Sequence, residues 1–221
     1  MSLDFESILQ RIKETLSMQP QSKITMLGDL TKKIKDPYVV LVATILSHRT
    51  KDEITEKVVL NFIKRFPTVY DLAKASMGDI KNEIKKVGFY NNKARILKEI
   101  SITLIKKYHG KVPNDIQELL KLPGVGRKTA NCVLVYAYDM PAIPVDTHVH
   151  RIFNRLGIVD TKTPEETEIK LMEIIDKKYW KEINDTFIRF GKSICKPVKP
   201  NCQICLLKDI CKYYQNNKPE F

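Results

Sequence analysis

Apolar residues recur at intervals of three and four along most of the chain. Phe5, Ile8, Leu9, Ile12 and Leu16 form one helical stripe, and Ile54, Val58, Val59, Phe62 and Ile63 form a second. Ile169, Leu171, Met172, Ile174 and Ile175 form a third. Each is read as the core-facing side of a helix. Strand-like alternation is scarce, and Pro20, Pro37, Pro67, Pro113 and Pro123 fall between the helical stretches rather than inside them. The pattern predicts an almost all-helical protein with short connections. No run of eighteen apolar residues exists to cross a membrane. The acidic start Met1-Ser2-Leu3-Asp4-Phe5-Glu6 lacks the apolar stretch of a signal peptide.

Composition narrows the class. The 221 residues are 43% hydrophobic with only eight glycines, which excludes a disordered tail and leaves room for one large or two small domains. Lys and Arg outnumber Asp and Glu by 38 to 26, a formal charge of +12 that points to a polyanion, most often nucleic acid. The cysteine count is odd, five, which argues against a secreted disulfide framework. Cys132 stands alone and is expected to be a small core residue; the other four lie between Cys195 and Cys211.

Candidate chemistry begins at a glycine turn. Asp115 to Lys121 reads as a short helix ended by Leu122-Pro123-Gly124-Val125-Gly126, and a second helix runs from Arg127 to about Tyr138. Gly124 and Gly126 are expected to permit positive φ and to remove side chains that would block a close approach. The bare N–H groups and the helix N-terminus then suit an anion such as a DNA phosphate; an ordinary tight hairpin is the alternative. Lys128 falls in the first turn, where the positive dipole end disfavours an ammonium, so a partly desolvated amine there is a candidate nucleophile. Asp146, in Val145-Asp146-Thr147-His148, opens a further helix, either as a plain N-cap or as a carboxylate serving that amine. His148 is expected to be structural or pocket-lining, and His150 to lie on the helix surface. A similar corner, Val87-Gly88-Phe89-Tyr90-Asn91-Asn92-Lys93-Ala94, echoes the glycine turn, and its Lys93 is expected to face phosphate or solvent.

Cys195, Cys202, Cys205 and Cys211 are spaced C-x6-C-x2-C-x5-C, which suits tetrahedral Zn²⁺ or a [4Fe–4S] cluster. Structural zinc usually takes two short Cys-x-x-Cys knuckles, and only one is present, so the spacing leans toward the cluster.

Taken in order, Leu122-Pro123-Gly124-Val125-Gly126-Arg127-Lys128-Thr129-Ala130-Asn131, then Val145-Asp146-Thr147-His148, then the four cysteines resemble the endonuclease III family of helix-hairpin-helix DNA glycosylases, over roughly Ile45 to Cys211. The resemblance implies an all-α fold of two helical domains with a DNA-binding cleft between them. A helical barrel would span 30–140, with its hairpin at about 115–138. A cluster domain would combine 1–29 with 141–221. It also implies base excision repair by a bifunctional glycosylase and apurinic/apyrimidinic lyase that removes oxidised pyrimidines from duplex DNA. Lys128 falls on the family's Schiff-base lysine, Asp146 on its catalytic aspartate, and the four cysteines on its [4Fe–4S] ligands. Lys196 and Lys199, in a loop stiffened by prolines and ligands, would then touch phosphate. Arg49 and Phe89 stand where the family commonly has glutamine and leucine, and are expected to fill the gap left by an extruded base and wedge the stack; a phosphate-binding arginine and a core phenylalanine are the alternatives. The expected partner is double-stranded DNA carrying a damaged base or abasic site. No membrane is expected, and the protein is expected to be a monomer in a prokaryotic cytoplasm, associated with the nucleoid.

Overall fold

Capping residues decide where the helices begin. Asp4, Asp36, Thr68, Ser76, Asp115, Asp146 and Thr163 each accept a bond from an amide in the first turn that follows. Pro37 and Pro164 occupy first helical positions, where no amide hydrogen is needed. A computed structural model describes residues 4–19 and 25–217; Pro20 lies outside them. Among the described residues there is no strand, as the stripes predict.

Thirteen α-helices are described. They are α1 (Phe5–Ser17), α2 (Met26–Lys33), α3 (Pro37–Ser47), α4 (Asp52–Arg65), α5 (Val69–Lys74), α6 (Met77–Ile84), α7 (Tyr90–Tyr108), α8 (Ile116–Leu120), α9 (Arg127–Tyr138), α10 (Thr147–Leu156), α11 (Pro164–Ile174), α12 (Trp180–Ser193) and α13 (Lys212–Asn216). They divide into two compact units, Met26–Ala142 and Met1–Thr25 with Ile143–Phe221.

In the Met26–Ala142 unit, α3 is apolar all round and every residue from Tyr38 to Leu46 is buried. A helix of that kind has to sit inside a bundle. It packs against α9 and α4, and Phe62, Leu72, Ile80, Ile84, Leu97 and Leu104 close the core around it. Cys132 lies in this core. In the other unit, α1 buries Phe5, Ile8, Leu9, Ile12 and Leu16. Phe5, Phe153 and Phe187 stack there, the last two with centroids 4.4 Å apart.

In the second stripe Ile54 is exposed at the start of α4, and the third stripe is only half a core face. Ile169, Met172 and Ile174 on α11 are exposed, whereas Leu171 and the following Ile175 are buried. The buried side of α11 is completed by Thr167 and Glu168, so its apolar spacing covers two faces.

Candidate active site and DNA interface

The glycine turn is held from beneath. Leu122 and Val125 are buried, and the Val125 amide donates to the Leu122 carbonyl at 3.1 Å. Gly124 has φ +69°, a left-handed conformation that favours glycine, and a Cβ on it would press on the Ile96 side chain at 2.8 Å. Gly126 differs from the sequence expectation: its backbone is extended, with φ −94°, so no left-handed conformation calls for glycine. A Cβ there would meet nothing within 4 Å. Its missing side chain serves only to leave the start of α9 bare, where no side-chain cap is present. Lys128 follows, half-buried in that first turn, while Thr129 to Val135 form the buried run of the helix.

The imidazole of His48 lies against this turn, its Nε2 3.4 Å from the Thr129 hydroxyl. Burial first, and then the charges of Lys128 and Lys93, hold the His48 pKa down to about 4 from an ordinary 6.5. The unfolded chain therefore binds an extra proton between those values. Stability contributed by neutral His48 is complete above pH 6.5 and is lost as pH falls through 4, by up to about 3 kcal/mol. A His48→Gln variant is expected to lack this acid loss. Urea midpoints at pH 7 and pH 4.5 that shift equally in both proteins would contradict it.

Asp146 caps α10 in the other unit, and its Oδ1 accepts both the His148 and Val149 amides at 2.9 Å. The capping and chemical roles do not compete for one atom, because Oδ2 takes neither bond. His148 is packed under Gly191, where a Cβ would lie 2.6 Å from its Nδ1, and that nitrogen is 3.1 Å from the Arg151 guanidinium. Burial is the main cause that lowers its pKa. His150 is not the surface residue expected from sequence. Its Nδ1 lies 2.7 Å from the Thr167 hydroxyl and 3.3 Å from Asn154 in a polar network between α10 and α11.

Cys195, Cys202, Cys205 and Cys211 line one cavity with Ile152, Leu156 and Arg155, and none is in a disulfide. As the side chains stand, no three metal-ligating groups converge on one point among the described residues. The donor set itself is informative. Burial, with the neighbouring cysteine charges adding to it, pushes the Cys202, Cys205 and Cys211 thiols up, Cys205 to about 11. Thiols gathered this way resist ionising together, and a cationic core is the group that relieves them. Lys196 and Lys199 are both exposed on the loop between the first two cysteines, Lys199 with φ +50°.

Arg49 and Phe89 stand together in the Met26–Ala142 unit. The guanidinium lies over the ring, 5.4 Å from its centroid, and both side chains are exposed. Phe89, at 62% exposure, is no core residue.

Comparison with known proteins decides the family. The HhH-GPD superfamily of base excision DNA repair proteins matches residues 42–177, more than half of the chain. The endonuclease III of Thermotoga maritima is 50% identical over 180 residues, 81% of this chain and 84% of its own. A non-covalent endonuclease III–DNA complex superposes with a TM-score of 0.83 at 35% identity, covering 97% of this chain and 98% of that one. A trapped endonuclease III–DNA covalent intermediate does so at 0.82 and 34%, with the same coverage of both chains. The chain belongs to the endonuclease III family.

As a base excision repair DNA glycosylase of that family, it carries supporting residues that sequence motifs did not reveal. Arg155 donates to the Lys196 and Pro197 carbonyls at 2.7 and 2.8 Å and lies 4.3 Å over the Tyr213 ring. Arg151 donates to the Cys195 carbonyl at 2.8 Å. The cysteine loop of this endonuclease III-family chain is therefore held by two arginines one turn apart on α10, as well as by its prolines. Their i, i+4 spacing was visible in the sequence, but nothing local tied them to a loop forty residues away.

Proposed function

We propose that the protein is a bifunctional glycosylase and apurinic/apyrimidinic lyase acting on oxidised pyrimidines in duplex DNA. The observation that carries the reading is Lys128: an amine in the uncapped first turn of α9, directly after a glycine turn suited to a phosphate. A relative's trapped covalent intermediate with DNA supports the same chemistry.

In this reading the damaged nucleotide is extruded from the stack. The Lys128 amine attacks C1′, the N-glycosidic bond breaks, and its electron pair leaves with the base, which takes up a proton. Asp146 assists with the carboxylate oxygen left over from capping, as acceptor of the amine proton or as countercharge to the sugar. The sugar ring opens to an imine at C1′. Loss of a C2′ proton then expels the 3′ phosphate by β-elimination, and water releases the sugar fragment and restores the amine. Gly124, Gly126, Lys196 and Lys199 hold phosphate, while Arg49 and Phe89 occupy the opened stack. The protein would act as a monomer on DNA in a prokaryotic cytoplasm. Among the described residues no helix is long and apolar enough to cross a membrane.

Cys195, Cys202, Cys205 and Cys211 would hold a [4Fe–4S] cluster, which supplies a rigid, charged anchor for the loop rather than a reacting group. Purified protein is expected to contain iron and sulfide and to be brown. Cys202→Ala is expected to lose the colour and loosen the loop, seen as faster proteolysis around Lys199. One zinc and no iron would refute the cluster.

The test of the function is a single-turnover reaction on duplex DNA with one thymine glycol. Free base and a strand break are both expected; base release without a break would make the protein a monofunctional glycosylase.

A further inference from the structure

Lys93 is buried, with 5% exposure, yet carries an amine that has no part in the chemistry above. Burying an ammonium is unfavourable unless its donors are satisfied. Here Nζ donates to the Leu46 carbonyl at 2.9 Å, the His48 carbonyl at 2.5 Å and the Thr50 hydroxyl at 3.2 Å. The first two acceptors end α3, where carbonyls lack helical partners and the dipole is negative. Sequence places Lys93 in a corner like that of Lys128, but the register differs. Lys128 is the second residue of α9 and half-buried, whereas Lys93 is the fourth of α7, two residues further into its helix, and buried.

The bonds of Lys93 join two strained corners. The Thr50 hydroxyl also accepts the Gly88 amide at 3.1 Å, and a Cβ on Gly88 would fall 2.7 Å from the Arg49 carbonyl. Arg49 has φ +51° and Phe89 φ +58°, both in the left-handed region that side chains other than glycine rarely adopt. Two exposed, bulky residues are thus held in unfavourable backbone conformations, face to face, by a cation beneath them. Strain of this kind persists only where surrounding structure enforces it, and it gathers at functional sites.

We infer that Lys93 is a positioning residue that ties the Arg49 turn to the Phe89 corner, so that both side chains meet DNA as one preassembled wedge. The inference rests on the reading of Arg49 and Phe89 as residues that enter the stack. Burial also draws the Lys93 pKa down, to about 8, so the charge is kept at neutral pH against a real desolvation cost.

The test compares two substrates for Lys93→Met. Base release from thymine glycol duplex needs the stack opened; borohydride trapping on a single-stranded abasic oligonucleotide does not. Misplacing the wedge is expected to slow duplex release by about 10²-fold, with loss of the 2-aminopurine fluorescence rise that reports unstacking. Single-strand trapping should stay unchanged, and Lys93→Arg should restore part of the duplex rate. Equal losses on both substrates, or none on duplex, would overturn the inference. Should Lys93→Met fail to fold, Thr50→Val removes the hydroxyl shared by Lys93 and Gly88, and must show the same duplex-only loss on a smaller scale. An Arg49→Ala, Phe89→Ala double variant separates the two levels. If it shows no duplex-only loss, the wedge reading fails; if it does and Lys93→Met does not, only the Lys93 inference fails.

Discussion

Replacing Lys128 with glutamine is expected to abolish borohydride trapping and strand cleavage on abasic duplex while leaving DNA affinity largely intact. Glutamine keeps the length and polarity of the side chain but has no amine to form an imine. Affinity is expected to survive because the proposed phosphate contacts include backbone amides at the bare start of α9 and other basic groups in a chain of charge +12. A gel-shift titration alongside the trapping reaction checks both halves. Trapping that persists in the variant would remove Lys128 from the mechanism.

Asp146→Asn is expected to give a large loss of chemistry with little loss of stability. Asparagine caps a helix about as well as aspartate, so both Oδ1 bonds to the His148 and Val149 amides can be kept. What disappears is the negative charge. Removing a positioned acid–base group typically slows reaction by about 10²–10⁴-fold. Single-turnover base release should fall within that range while the thermal midpoint stays near that of the parent and abasic-site binding is retained. Alanine would remove cap and charge together and could not separate them. Full activity in the asparagine variant would leave Asp146 as a helix cap alone.

The helical class was legible because periodicity and caps agree. The stripe at Phe5 to Leu16 is the buried face of α1, and Asp146, which opens a helix in the sequence, caps α10. The stripe at Ile169 to Ile175 misled, because apolar spacing on α11 covers an exposed face as well as a buried one. The turn chemistry at Gly124 was readable, whereas Gly126 was assigned a conformation it does not adopt. Lys93 and His150 were misread for one physical reason. Each is a polar residue satisfied by partners distant in sequence, His48 and Leu46 for the one and Thr167 for the other. Local pattern says where such a residue stands on its helix but not what is folded against it. The pairing of Arg49 with Phe89 was invisible for the same reason, since it depends on Thr50 and Gly88 bringing two corners together.

In the proposed reaction this chain attacks DNA through the amine of Lys128. The most direct measurement is to reduce the complex with borohydride on an abasic duplex, digest it and locate the linked nucleotide by mass spectrometry. A single modified peptide with the adduct on Lys128 is expected. An adduct on Lys93 or the N-terminal amine, or no covalent product at all, would contradict it.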